Sequence, residues 1–206
     1  MLLKLYYFHD PMCSWCWAFR PLWNGIVADI PDNVDCQRIL GGLAPDTDQT
    51  MSTEMQTKLK GVWQKIQQTV PGTQFNFEFW ERCTPRRSTY AACRAVIAAK
   101  RQDPRYEEIM ILAIQQAYYL EARNPADINT LIELANEIGL DRALFSSDMK
   151  SPVIHQALLN EIEFTHRLDV KGFPTLLLER EGIFTAIHLG YDNAKAVLHQ
   201  VTRLSQ

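Results

Sequence analysis

Two cysteines separated by two residues, Cys13-Ser14-Trp15-Cys16, stand between an apolar run, Leu2-Leu3-Lys4-Leu5-Tyr6-Tyr7-Phe8, and a stretch with helical character over residues 14–29. A Cys-x-x-Cys pair at a strand-to-helix junction puts the first sulfur near the first helical turn. Unpaired N–H groups and the positive end of the helix dipole favour an anion there. A thiolate is an anion, so Cys13 is expected to be the exposed, acidic, nucleophilic thiol. Cys16 lies one turn further in, is expected to be buried, and can attack a mixed disulfide formed on Cys13. That is the minimal apparatus of thiol–disulfide exchange. Half a zinc site is the competing reading, but zinc needs two more ligands. Cys36, Cys83 and Cys93 stand singly and no His-x-x-x-His occurs, so no metal is expected.

Composition narrows the class. A net charge of −3 over 206 residues carries no footprint of nucleic-acid or membrane-surface binding. No apolar run approaches the ~20 residues of a membrane span. The apolar run begins at Met1 and reaches the motif by Cys13, so cleaving a secretory leader would destroy the first strand. The chain is therefore expected in the cytoplasm. Five cysteines leave at least one unpaired within a monomer. In a reducing compartment a Cys-x-x-Cys is catalytic more often than structural.

Residues 2–8 and 34–40 read as strands flanking the 14–29 helix, with Pro21 inside it as an expected kink. Gly41-Gly42 ends the second strand. From about Pro45 to about Arg167 the pattern is helical, near 50–69, 86–101, 104–122, 127–138, 141–147 and 152–168. Asp103-Pro104 and Ser151-Pro152 read as N-caps followed by a first-turn proline. Thr73 to Trp80 reads as an extended loop or a domain junction. Strand character returns as a hairpin, 175–179 and 182–189, and a last helix covers about 193–204. The fold class is α/β: a small mixed sheet with flanking helices, discontinuous over 1–44 and 166–206. An all-helical domain over 45–165 is inserted into it.

The order strand, Cys-x-x-Cys helix, strand, helical insertion, Gly172-Phe173-Pro174-Thr175, hairpin, helix resembles the thioredoxin fold of the DsbA superfamily over nearly the whole chain. More narrowly, Asp10-Pro11-Met12-Cys13-Ser14-Trp15-Cys16-Trp17 is similar to bacterial DsbA-like proteins labelled protein-disulfide isomerases, including the FrnE group. Ser88-Thr89-Tyr90-Ala91-Ala92-Cys93-Arg94 is similar to a family helix start that often carries His at the place of Cys93. The resemblance implies a thiol–disulfide oxidoreductase in which Cys13 attacks and Cys16 resolves. It also implies a cis Pro174 beside the redox pair, with Phe173 and Thr175 presenting backbone to an extended substrate. Protein or small-molecule thiols and disulfides are the expected partners, with glutathione a candidate co-substrate. No cofactor is needed beyond the redox-active Cys13–Cys16 pair, and the protein is expected as a monomer or homodimer.

The chain departs from the family pattern in two places. The carboxylate that thioredoxin and DsbA carry under the active site is replaced by Leu5, Tyr6 or Tyr7. His9 and Asp10, read as loop residues, are candidates for tuning the thiolate but no secure substitute. Ser14-Trp15 also differs from the Pro-His of DsbA, so strong oxidase character does not carry over. Trp15 is the expected substrate contact, whereas Trp17, Trp23, Met110, Tyr118 and Tyr119 are expected in the core or at the domain interface. Cys83 and Cys93 are expected as free thiols, one of them near the cleft, and Arg86-Arg87 as solvated surface. Two rivals stay open. One is a glutathione-dependent isomerase or transferase of the kappa or 2-hydroxychromene-2-carboxylate isomerase type, which carries serine at the first catalytic position. The other is a non-catalytic peptide-binding or adaptor module.

Overall fold

The computed structural model describes residues 3–204; Leu2, included in the expected first strand, lies outside the described residues. The elements run β1 (Leu3–His9), α1 (Ser14–Asp29), β2 (Val34–Leu40), α2 (Thr53–Thr69), α3 (Phe79–Arg82), α4 (Tyr90–Gln102), α5 (Tyr106–Tyr119), α6 (Ile128–Glu137), α7 (Arg142–Asp148), α8 (Pro152–Arg167), β3 (Thr175–Arg180), β4 (Ile183–Ile187) and α9 (Ala194–Leu204). The strands form one sheet in the order β2-β1-β3-β4. β1 pairs parallel with β2, Leu3 opposite Val34, and antiparallel with β3, Phe8 opposite Thr175. β3 and β4 join through Glu181 and Gly182, whose φ values are +53° and +81°. Positive φ at both turn residues is what a tight two-residue hairpin requires.

β1 is central and buried along almost all its length, so it needs cover on both faces. Side-chain alternation provides it. Leu3, Leu5 and Tyr7 pack with Phe19, Trp23 and Ile26 of α1 and with Val197 of α9. Tyr6 and Phe8 point the other way, onto Phe164 of α8 and the Phe173 and Phe184 rings. The helical block is held by two further clusters. One surrounds α4, whose Ala91, Ala92, Ala95, Ala98 and Ala99 are almost fully buried and whose small side chains let neighbouring helices approach closely. The other is aromatic: Trp63 is stacked on Phe75 at 4.8 Å and ringed by Phe79, Trp80, Tyr118 and Tyr119.

That aromatic cluster orders the segment expected as an extended loop or domain junction. Residues 73–78 form neither helix nor strand, Phe75, Phe79 and Trp80 are buried against Trp63, and the expected loop is shortened only at its end, where Phe79–Arg82 closes as the single turn α3. Asp103 does not cap α5. It ends α4, its carboxylate accepts from the Arg105 N–H, and α5 begins at Tyr106. α4 starts at Tyr90 rather than 86, because Arg86 is bridged to Thr50 through the backbone and its side chain is ion-paired with Asp127. Arg86 is thus a structural cation and no solvated surface residue. Ser151 does cap α8, accepting from the Val153 N–H with Pro152 at the first turn. α1 runs unbroken through Pro21, which lies on the exposed side of the helix. The expected boundary at 165/166 falls inside α8, which gives Leu158 and Ile162 to the helical core and Phe164 to the sheet.

α8 also tethers β2. The Glu161 carboxylate accepts from the Leu40 N–H at 2.6 Å, and burial lifts its pKa from 4.5 to about 7. A raised carboxyl pKa favours the folded state fully below the unfolded value, and that contribution is lost as pH rises through the folded value. Glu161→Gln keeps an acceptor for Leu40 and removes the titration. The expected result is a gain on the order of 1–2 kcal/mol at about pH 8, with a flatter stability profile between about pH 5 and 8. Urea unfolding across pH measures it; a variant that follows the wild-type profile contradicts the assignment.

Candidate active site

The redox motif begins where β1 leaves the sheet. Cys13 occupies the N-cap of α1 with extended backbone, φ −82° and ψ 115°. Its N–H donates to the Asp10 carbonyl at 3.0 Å and its carbonyl accepts from the Trp17 N–H at 3.0 Å. The Cys13 sulfur therefore stands at the open N-terminus of a 16-residue helix. Both motif cysteines are buried, correcting the expectation of an exposed Cys13. Cys13 nonetheless keeps 7% of its surface against 0% for Cys16, so only the first sulfur meets solvent. The two are close but not bonded, and Cys36, Cys83 and Cys93 are free thiols as well.

The chain returns to this point 160 positions later. The Cys13 thiol donates to the Phe173 carbonyl at 3.5 Å, and the Phe173–Pro174 bond is cis. Gly41 makes this approach feasible, because a Cβ there would sit 1.8 Å from the Phe173 ring. Trp15, Phe173, Pro174 and Thr175 line one open cleft of about 460 Å³ together with Tyr191, on which the Trp15 ring packs at 5.2 Å. A second cavity of about 230 Å³ opens beside Cys13, against α2, and shares Trp15 and Phe173 with the first. The structure thus brings the Cys13 sulfur to the Phe173 carbonyl and sets Trp15, Phe173, Pro174 and Thr175 around one adjoining cleft.

His9 and Asp10 are not solvated loop residues. His9 is the last residue of β1, 1% exposed, and Asp10 follows it with no exposure. Burial, then the nearby Arg38 and Arg20 guanidinium groups, lower the His9 pKa to about 3. His9 is consequently neutral near pH 7 and supplies no positive charge to the thiols. The Asp10 carboxylate accepts from the Met12 N–H at 2.8 Å, the Leu43 N–H at 2.8 Å, the Thr89 hydroxyl at 2.6 Å and the Cys93 thiol at 3.5 Å. Burial raises its pKa and these four donors oppose the rise. Asp10 builds the turn, and it also acts on the Cys16 thiol, its backbone hydrogen bond lowering and its charge raising that pKa.

Cys16 has its pKa pushed well above the ordinary thiol range, by burial first and by the adjacent Cys13 sulfur next. Tyr7 hydrogen-bonds to it. Behind the pair lies a small chamber of about 10 Å³ bounded by Tyr7, His9, Cys16, Arg20, Trp23, Arg38, Glu108 and Gln115, among others. Burial of one water needs a volume of about this size and polar partners. His9 Nε2 and Trp23 Nε1, both without a hydrogen bond within the protein, belong to residues that line it. Sequence reasoning placed Leu5, Tyr6 or Tyr7 under the active site; Tyr7 is the one that meets Cys16.

Other expectations divide. Trp23, Met110, Tyr118 and Tyr119 are buried as expected. Trp17 is only half-buried; it stacks on Tyr119 at 5.7 Å and its indole N–H donates to the Gln74 carbonyl at 3.1 Å, clipping α1 to the loop after α2. Of the two distal thiols, Cys93 reaches the motif through Asp10, while Cys83 donates to the Ala122 carbonyl at 3.0 Å. Thr89, Arg87, Tyr118 and Tyr191 belong to the site and were missed as such. Only the Ser88–Arg94 segment signalled any of them, through its resemblance to a family helix start. Among the described residues, no group of three or more His, Cys, Asp or Glu side chains is placed to hold a metal ion. No described helix is long and apolar enough to cross a membrane.

Comparison with known proteins gives the same architecture. The sequence profile of a family described as Thioredoxin matches residues 6–182. A candidate protein disulfide isomerase from Nitrosomonas europaea is 26% identical, with both chains fully covered and a TM-score of 0.86. The cytosolic disulfide reductase DsbM from Pseudomonas aeruginosa is 25% identical, with 98% of each chain covered and a TM-score of 0.79; it has also been solved with glutathione. Among curated sequences, the ClpXP adapter protein SpxH of Halalkalibacterium halodurans is 26% identical over 198 residues, which is 92% of this chain and 64% of the relative. The chain thus spans just under two thirds of that relative's length.

Asp10→Asn tests the turn. One carboxylate oxygen becomes an NH₂ group facing donors that need an acceptor, at an expected cost of about 2–4 kcal/mol. Urea unfolding should show that loss, with faster alkylation of Cys93. A variant within about 0.5 kcal/mol of wild type, the ordinary range of surface substitutions, contradicts the role given to Asp10.

Proposed function

Because this chain belongs to the thioredoxin family, we propose that it is a thiol–disulfide oxidoreductase working through Cys13 and Cys16. The observation that carries the reading is the Cys13 sulfur at a helix N-terminus, 3.5 Å from the carbonyl that precedes Pro174. Cys13 attacks one sulfur of a substrate disulfide as the thiolate. The Cys13–substrate bond forms, and the first substrate thiolate leaves with the electron pair of the broken bond. Cys16, once deprotonated, attacks Cys13 Sγ and expels the second thiolate. The substrate gains two electrons, the enzyme dithiol loses two, and the two Cys protons end on the released thiols. The return reaction oxidises a dithiol substrate, and isomerisation uses the first step and its reversal.

Substrate backbone lies along Phe173-Pro174-Thr175, with Trp15 beside it. The 45–165 segment, as an insertion, supplies through α2 the wall of the second cavity beside Cys13. The cysteine pair is the redox carrier, without a metal or bound cofactor. Protein disulfides and low-molecular-weight thiols such as glutathione are the proposed partners, in a cytoplasmic setting; the names of the Pseudomonas protein, a cytosolic reductase also solved with glutathione, support both. Two thiols in the motif weigh against the single-serine chemistry of the kappa and 2-hydroxychromene-2-carboxylate isomerase type.

One observation favours a second reading, a protein-binding adapter that uses the same groove without turnover: the curated relative is named an adapter. Trapping separates the two. Cys16→Ser should accumulate mixed disulfides on Cys13, visible on non-reducing gels and by mass spectrometry, because the resolving attack is lost. Cys13→Ser should accumulate none by this route and should lose insulin-disulfide reduction. Equal trapping by both variants, or reduction surviving in Cys13→Ser, would contradict the roles given to the two cysteines; no trapping by Cys16→Ser together with no insulin reduction by wild type would favour the adapter.

A further inference from the structure

Building on the oxidoreductase reading, we propose that the cavity between Cys13 and α2 binds low-molecular-weight disulfides that carry a carboxylate, and that Arg87 takes that carboxylate. Glutathione disulfide represents the class. The cavity holds about 230 Å³. Cys13 and Phe173 form one side, and Leu59, Val62 and Trp63 of α2 form an apolar wall opposite. Arg87 is the single charged residue lining it.

Arg87 is exposed and has no ion pair or hydrogen bond among the described residues. Its neighbours differ. Arg86 is committed to Asp127, Arg94 to Asp46 and Arg123 to Glu137. An unpaired guanidinium presents a planar fork of donors that fits a carboxylate, and its charge strengthens each bond. The dimensions agree. A compact volume of this size is roughly 7 Å across, and a cysteinyl sulfur lies about that far from a carboxylate one peptide unit away, given the 3.8 Å Cα spacing. A cysteine inside a protein chain has a neutral amide at that point, so Arg87 discriminates between the two substrate classes. Extended protein substrates use the adjoining cleft along Pro174 and Thr175, which shares Trp15 and Phe173 with this cavity.

The exchange is balanced as above: Cys13 bonds to one glutathionyl sulfur, the other leaves as thiolate, and Cys16 releases the second. The reduced dithiol is supplied beforehand by dithiothreitol in a single-turnover experiment.

Two measurements test the site. S-methylglutathione, a thioether that cannot exchange, and its dimethyl ester are titrated by calorimetry into reduced wild type, Arg87→Gln and Arg87→Lys. The acid should bind wild type about tenfold more tightly than the ester, the worth of one partly exposed charge-assisted bond. That preference should vanish in Arg87→Gln, persist in part in Arg87→Lys, and shrink with added salt. Single-turnover rates are then compared for glutathione disulfide and the neutral bis(2-hydroxyethyl) disulfide. The ratio of the two should fall about tenfold in Arg87→Gln, the same interaction read in the rate. Equal wild-type affinity for acid and ester, no binding of either, or an unchanged rate ratio overturns the inference and leaves the oxidoreductase reading intact. Acid-selective binding that depends on Arg87, with no turnover of either disulfide, instead overturns the oxidoreductase reading and leaves the site.

Discussion

The Asp10 carboxylate, without solvent exposure, receives hydrogen bonds from three stretches of chain that the sequence keeps far apart. Met12 N–H comes from the redox turn, Leu43 N–H from the loop after β2, and the Thr89 hydroxyl and Cys93 thiol from the start of α4. A buried carboxylate is tolerated when several donors replace its hydration. Here the donors that keep Asp10 buried are also those that fasten the helical block onto the sheet. The same residue's carbonyl accepts from the Cys13 N–H. The position of the Cys13 sulfur and the docking of α4 against the redox turn thus depend on one residue.

From that anchor the asymmetry of the two thiols follows. Cys13 sits at the helix entrance and reaches the Phe173 carbonyl, while Cys16 is buried against Tyr7 and the small chamber behind it. Burial holds the inner thiol protonated, so the resolving step needs a route for its proton. Tyr7 and a neutral His9 lie beside the inner thiol, and two carboxylates are near it: Asp10, whose charge raises the Cys16 pKa, and Glu108, which lines the chamber ion-paired with Arg20 and Arg38. The two spaces around the outer sulfur differ in kind. The Trp15–Pro174 side is open and shallow, and the α2 side is apolar with a single guanidinium.

Much of the fold was legible in the residues. Strand alternation in Leu3 to Phe8, the Gly41-Gly42 stop and the glycine of the Glu181-Gly182 turn are local signals, and each gave its element within a residue or two. Ser151-Pro152 capped a helix as read, whereas Asp103-Pro104 did not. The same dipeptide pattern satisfied Arg105 as a turn, because an aspartate beside proline serves either purpose. Residues 73–78 are loop as read, but the burial of Phe75, Phe79 and Trp80 depends on Trp63, which propensity does not report. Cys13, Cys16 and Pro174 came from motif and resemblance. The web at Asp10 did not, since the Asp10–Cys93 contact spans 83 positions and a His-Asp-Pro run looks like a solvated loop. Arg86 and Arg87 looked alike in sequence, and only the nearby Asp127 separates them.

The central claim is that Cys13 and Cys16 form one two-electron couple. Equilibration of the protein in buffers of graded dithiothreitol or glutathione poise, acid quenching and mapping of the disulfides by mass spectrometry tests it most directly. The account predicts one transition with the slope of a two-electron couple, about 29.6 mV per tenfold change in the equilibrium constant, and Cys13–Cys16 as the bond formed across it. A transition in which Cys13 pairs instead with Cys93 or Cys83, or the persistence of both motif thiols under poises that oxidise thioredoxin, at about −270 mV, and DsbA, at about −120 mV, would contradict it.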